Sequence, residues 1–141
     1  MWGKKSSLKT WVEIDAAALR HNLEVFEKLA GQSASRRTRV MAVVKANAYG
    51  HGLPEVARIL ATSGISKSEF LMWFGVDNID EALTIRALDT KNPILILGYI
   101  PPERLKEVIE NDISFSVYSK ELLAMIRKLN NISAKPRIHI K

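Results

Sequence analysis

The segment Val40–Gly52, VMAVVKANAYGHG, gathers a primary amine, a phenol and an imidazole within a few residues. An apolar run, Val40–Val44, leads straight into Lys45, and Tyr49 and His51 follow among Gly50 and Gly52. A continuous apolar run of this length fits a parallel strand covered on both faces. Parallel βα proteins carry their chemistry at the C-terminal ends of such strands. Lys45 stands at one, and strand alternation puts it on the same side as Met41 and Val43. Burial disfavours charge on an amine, and a neutral amine attacks a carbonyl carbon to form a Schiff base. The glycines let the backbone approach a ligand closely. On position alone the plainer reading is favoured: a lysine stem packed at a strand exit, with its head in water.

The rest of the chain supplies elements able to position that lysine. Trp11–Asp15 alternates like a strand, and Asp15 caps a helix with Leu19, Leu23, Phe26 and Ala30 on one face. After the polar loop GQSASRRT and the Val40–Val44 strand comes a helix with Pro54 near its start. Val56, Ile59 and Leu60 share its face, and Gly64 ends it. The alternation then repeats. Strands are predicted at Phe70–Val76, Pro93–Gly98, Ile113–Val117 and PRIHIK. The intervening helices bury Ile79, Ala82 and Leu83, then Leu105, Val108 and Ile109. A last helix, capped by Ser119, carries Leu122, Met125, Ile126 and Leu129 at helical spacing.

Strands alternating with helices imply βα units and a parallel sheet. Two architectures fit, an open doubly wound sheet or part of a (β/α)8 barrel. The last strands favour the barrel. Arg137, His139 and Lys141 share one face of PRIHIK, opposite Ile138 and Ile140; Ser114 and Ser116 oppose Phe115 and Val117. A polar face suits a lumen, and an apolar face suits a cover of helices. A complete barrel takes about 250 residues, against 141 here. The expected fold is therefore α/β, a partial (β/α)8 TIM barrel of about five βα strands truncated before closure. Residues 1–10 would form a polar tail, and residues 11–141 the barrel portion. Such a product leaves an unpaired edge and uncovered apolar surface.

Composition excludes several classes. Apolar residues make up 47% and charged residues 26%, a globular mixture without low-complexity tracts. Cysteine is absent, which removes disulfide and thiolate-metal chemistry and fits a cytoplasmic protein. No stretch reads as a signal peptide or a membrane span. The net charge of +6 is scattered apart from Arg36, Arg37 and Arg39, a solvated surface rather than a nucleic-acid face. The three histidines are dispersed, so no metal site is expected. His21 reads as surface, His51 as turn, and His139 as lumen-facing in a finished barrel. Trp11, Trp73 and Tyr99 read as packing residues.

The full string VMAVVKANAYGHG closely resembles the pyridoxal-phosphate attachment segment of the alanine racemases. WVEIDAAALRHNL resembles that family's opening segment. NIDEALTIRAL and NPILILG resemble its second and third βα units, and RIHIK the strand before its next motif. The resemblance covers nearly the whole chain, and the lysine motif is long. It implies pyridoxal 5'-phosphate as cofactor and Lys45 as both its attachment point and the base for one face of the substrate α-carbon. Tyr49 would hydrogen-bond the phosphate, and Val43 and Leu97 would line the pocket. Lys141 falls where some members carry a carbamylated lysine. Asp77 stands where a small apolar residue is expected, and solvent is its favoured surroundings. Racemisation needs a base on each face. The family's second base is a tyrosine from a C-terminal β-domain, supplied by the partner subunit of a homodimer. That tyrosine, the remaining phosphate ligands and the arginine facing the pyridine nitrogen have no counterpart here. The implied function is that of a fragment of an isomerase interconverting L- and D-alanine, acting on a small amino acid and inactive alone. The alternative is a non-catalytic cofactor-binding or interaction module completed by a complementing C-terminal chain.

Overall fold

Asp15 begins the first regular element by accepting the N–H groups of Ala17 and Ala18 at 2.9 and 3.0 Å, which satisfies donors that a helix start leaves open. The helix it caps, α1, spans Ala16–Gly31. The computed structural model describes residues 9–32, 38–62, 72–88, 91–129 and 134–141. Arg36, Arg37, Gly64, Phe70 and most of the expected N-terminal tail lie outside the described residues. Beyond α1 the order is β1 (Met41–Val43), α2 (Lys45–Tyr49), α3 (Leu53–Ala61), β2 (Trp73–Val76), α4 (Ile79–Arg86) and β3 (Ile94–Ile96). A 3-10 turn (Pro102–Arg104) then leads into α5 (Leu105–Glu110), β4 (Ser114–Val117), α6 (Lys120–Lys128) and β5 (Ile138–Ile140).

The five strands form one parallel sheet in sequence order, as the alternating pattern predicts. Met41 lies opposite Trp73, Gly75 opposite Leu95, Leu95 opposite Ser114, and Ser116 opposite His139. That register sorts the residues into two faces. The helix-covered face carries Val44, Phe74, Val76, Ile94, Ile96, Phe115 and Val117, all buried. Ala82, Ile85, Leu105 and Val108 meet them from the helices with no exposed surface. Burying a side chain of this size contributes about 1.5–3 kcal/mol.

The opposite face is concave. Trp73 on β2 and His139 on β5 meet edge to face with ring centroids 5.5 Å apart. A flat sheet would hold these strands about 14 Å apart, three spacings of about 4.8 Å. Only a sheet curled toward this face brings them together, so the barrel-like curvature is present and the polar residues of β4 and β5 lie inside it. Within the described sheet β1 and β5 are the edges. Ile140, on the outer face of β5, is 88% exposed.

Three expectations need correction. Trp11–Asp15 is not a strand: it pairs with no other described segment, and an extended segment keeps its conformation only when its backbone groups find a ladder. Trp11 and Tyr99 are 60% and 63% exposed and do not pack into the core. The helix expected over PPERLKEVIEN splits, because Pro101 at φ −57°, ψ 131° holds the entry extended and a single 3-10 turn precedes α5.

Candidate active site

β1 stops at Val43, and Val44 bends the chain (φ −123°, ψ 22°) so that Lys45 opens α2. Ala46, Asn47, Ala48 and Tyr49 follow with φ of 53°, 54°, 52° and 55°, a turn of left-handed helix. That hand brings each Cβ close to the next carbonyl and costs about 1–2 kcal/mol per residue. Local hydrogen bonds offset the cost. Ala48 N–H donates to the Val44 carbonyl at 2.8 Å, Gly50 N–H to Ala46 at 3.0 Å, and Gly52 N–H to Asn47 at 3.1 Å. The Asn47 side chain accepts the Leu53 N–H at 2.8 Å. It thereby serves the start of α3, where Gly52 has no side chain to offer. Gly50 and Gly52 exit the turn at φ 87° and 93°, where L side chains are strained. Because the strand ends before Lys45, alternation no longer fixes its direction; the turn does. Lys45 is partly buried, and Tyr49 is 58% exposed.

Beneath this turn lies an apolar floor on the concave face. A Cβ added to Gly75 would stand 2.9 Å from Met41 Sδ, 3.3 Å from Val43 Cγ2 and 3.4 Å from Leu97 Cδ1. Val43 and Leu97 thus converge over the one strand position that has no side chain. Lys141 follows β5 at the opposite edge of the sheet, exposed, with its N–H on the Val117 carbonyl at 3.0 Å. His51 points Nδ1 at the Ala48 carbonyl, 2.8 Å away. A carbonyl only accepts, so Nδ1 carries the proton and the ring braces the turn. Asp77 is exposed, and its carboxylate lies against Gly98. A groove of about 370 Å³ runs beside the free edge of β1, lined by Leu19, Phe26, Val43, Tyr49 and His51 among others.

Three residues of this region escape a reading of the sequence alone. Gly75 carries a signal, since glycine inside a strand marks close approach. Asn47 gives none, because only the left-handed turn aims its side chain at Leu53. Glu81 reads as an ordinary third residue of a capped helix. In the structure its carboxylate takes the Asn47 N–H at 3.3 Å and the Asp77 N–H at 2.9 Å, tying the turn after β1 to the end of β2.

Residues 14–141 match the family described as alanine racemase, N-terminal domain. The chain belongs to this family. Alanine racemase 1 of Oceanobacillus iheyensis is 39% identical over 132 residues, which make up 93% of this chain and 32% of that protein. Alanine racemase of Methanococcus maripaludis is 36% identical over 132 residues, 93% of this chain and 33% of the relative. Among solved structures, alanine racemase of Bacillus anthracis with bound L-Ala-P superposes with a TM-score of 0.76 at 34% identity, covering 93% of this chain and 31% of that one. A histidine racemase of Leuconostoc mesenteroides gives 0.70 at 31% identity, covering 87% and 30%. The chain therefore spans about a third of the length of the relatives it matches. The partial barrel is the fold those coverages imply.

The cofactor of the alanine racemase family is pyridoxal 5'-phosphate, bound by this domain. The residues present fit such a group. A partly buried amine stands at the sheet's C-terminal mouth, a phenol lies one turn away, and an apolar floor lies below. The position of a Gly50 Cβ has nothing within 4 Å, so an anionic group could approach the turn there. Among the described residues no cluster of His, Asp and Glu could hold a metal ion, and no helix is long and apolar enough to cross a membrane.

Proposed function

We propose that this chain supplies the lysine-bearing portion of a pyridoxal-phosphate-dependent amino-acid racemase that interconverts L- and D-alanine. The observation that carries the reading is Lys45 itself, which follows β1 at the C-terminal end of a curled parallel sheet, leads into the braced left-handed turn of Ala46–Tyr49, and stands two residues after Val43, whose side chain converges with Leu97 over Gly75. When bound, the cofactor would supply an electron sink for the electrons left on the substrate α-carbon as its proton departs. Lys45 Nζ would attach the cofactor and, once released, accept and return the proton on one face of that carbon. The Tyr49 hydroxyl would donate to the phosphate, and Val43 and Leu97 would exclude water beside the ring. Lys141, beyond the far edge of the sheet, is proposed as the position of a carbamylated lysine.

A racemase needs a proton donor on the second face, and the resemblance assigns that role to a tyrosine of a later domain rather than to any residue matched here. We propose that the opposing base comes from a complementing chain or segment and that this chain alone does not racemise. The exposed outer face of β5 and the apolar groove along β1 support that part of the reading, because both are surfaces on which further barrel units would pack.

The test is a pyridoxal phosphate titration followed by borohydride reduction and peptide mapping, with Lys45→Ala beside the wild type. Label concentrated on Lys45 and lost in the variant is expected. Label spread evenly over the lysines would overturn the reading. Assay with L-alanine is expected to yield D-alanine only when a complementing chain is added.

A further inference from the structure

Glu81 occupies the third position of α4, where a capped helix places an acid that reaches back to the N-cap's own N–H. The cap is present: Asn78 Oδ1 accepts the Glu81 N–H at 3.0 Å. The returning arm goes elsewhere. One carboxylate oxygen takes the N–H of Asp77, the residue before the cap, at 2.9 Å. The other takes the N–H of Asn47, which is 34 residues away in sequence. Each of these N–H groups begins the exit from a strand, one after β1 and one after β2. Neither exit has a glycine at that point to relax it, and Asn47 sits at φ 54°.

Asn47 is also the residue through which the turn holds its other neighbours. Its side-chain oxygen receives the Leu53 N–H, and its carbonyl receives the N–H groups of Gly50 and Gly52. The N–H is its remaining backbone group, and Glu81 is the partner it has outside the turn. A carboxylate oriented by a capped helix, with one oxygen fixed on Asp77, presents the other in a set place. Such an acceptor selects the left-handed form of the turn, because a right-handed turn would swing the Asn47 N–H away.

We infer that Glu81 is the positioning residue for Lys45, clamping the left-handed turn to the end of β2 so that the amine is held at the mouth of the concave face. The inference rests on the reading of Lys45 as the attachment lysine. The action of Glu81 passes through the Asn47 and Asp77 backbone rather than through Lys45 Nζ. It is therefore separable from the chemistry by measurement.

The experiment compares wild type, Glu81→Ala, Glu81→Asp and Glu81→Gln in the 141-residue chain. Amide hydrogen exchange is followed at Asn47 and Asp77, with Ile96 and Phe115 as controls for global stability. In parallel, each protein is treated with pyridoxal phosphate and borohydride. The lysine nitrogen adds to the aldehyde carbon, water leaves, and the hydride of borohydride fixes the product as a secondary amine, so the labelled peptide reports how well the amine is placed.

Glu81→Ala is expected to speed exchange at Asn47 and Asp77 by about tenfold or more while Ile96 and Phe115 stay protected. Labelling of Lys45 is expected to slow by about tenfold relative to the other lysines. The shorter Glu81→Asp should behave like the alanine variant. Glu81→Gln should rescue in part, because its carbonyl accepts one N–H while its amide faces the other. Unchanged exchange at Asn47 in Glu81→Ala overturns the inference. So does faster exchange with Lys45 labelling unaltered, which would make Glu81 a local brace only. Loss of protection at Ile96 and Phe115 as well would make it a general stability residue, which also overturns the inference. If wild-type label shows no preference for Lys45, the cofactor reading fails instead, and exchange alone then decides the clamp.

Discussion

Ala46 carries a conformation that its side chain resists. At φ 53° and exposed to solvent, it bears the left-handed cost of about 1–2 kcal/mol with no packing to show for its methyl group. Glycine there would lose that cost but give back about 0.5–1 kcal/mol through a freer unfolded chain. The strain is the larger amount. Ala46→Gly is expected to stabilise the chain by about 0.5–1 kcal/mol in urea unfolding. A destabilised variant would mean that the turn does not hold this hand in solution. Ala48, in the same turn, is 5% exposed, and there a glycine would also forfeit buried contact. Two alanines of one turn thus answer differently because one is packed and the other is not.

At the end of the sheet away from Lys45, one side chain of α4 ties several segments together. The Arg86 guanidinium donates to the carbonyls of Asn111, Asn92 and Asp112 at 3.1, 3.3 and 3.0 Å. Burial lowers its pKa from the ordinary arginine value, while nearby Asp112 acts in the opposite direction. The Asn92 side chain extends the same network by donating to the Met72 carbonyl at 2.9 Å. Arg86→Ala leaves these carbonyls short of a donor, and each buried loss costs about 1–3 kcal/mol. A net loss of about 2–3 kcal/mol is expected after partial rehydration, read from the urea midpoint at constant slope. A change below about 0.5 kcal/mol would show that water replaces the guanidinium freely.

At the scale of the whole molecule two positions on the same face of the sheet should behave unlike each other, because helices cover one and not the other. Phe115 has no exposed surface, and Phe115→Ala should cost about 3–5 kcal/mol. Ile140, on the same side of the sheet and one strand over, is 88% exposed, so Ile140→Ala should change stability by less than about 0.5 kcal/mol. If a complementing chain covers β5, the same Ile140→Ala substitution should weaken that association while leaving the isolated chain unaffected. Equal costs at the two positions, measured by urea unfolding of the chain alone, would mean that the outer face of β5 is already covered.

Much of this fold was legible in the sequence because its signals are local. Apolar runs bounded by capped helices marked the parallel strands, and Asp15 and Ser119 announced their helices through side chains that accept nearby N–H groups. The alternation in PRIHIK and ISFSV anticipated a polar concave face, since a strand sends successive side chains to opposite sides whatever its partners are. The motif around Lys45 pointed to the family, and the comparisons bear that out. Other features depend on residues far apart in the chain. The left-handed turn has no glycine from Ala46 to Tyr49 to betray it, and its hand is held by Asn47, Leu53 and the distant Glu81. The curl that joins Trp73 to His139 accumulates over four strands. Trp11 looked like packing and is exposed, because what covers a side chain is settled by the neighbours tertiary structure brings, not by its own apolarity. Sequence alone therefore determined the order of the sheet's strands and singled out the amine proposed to do the chemistry. Tertiary structure decided where that amine is held, because its direction comes from contacts between segments rather than from the period of any one.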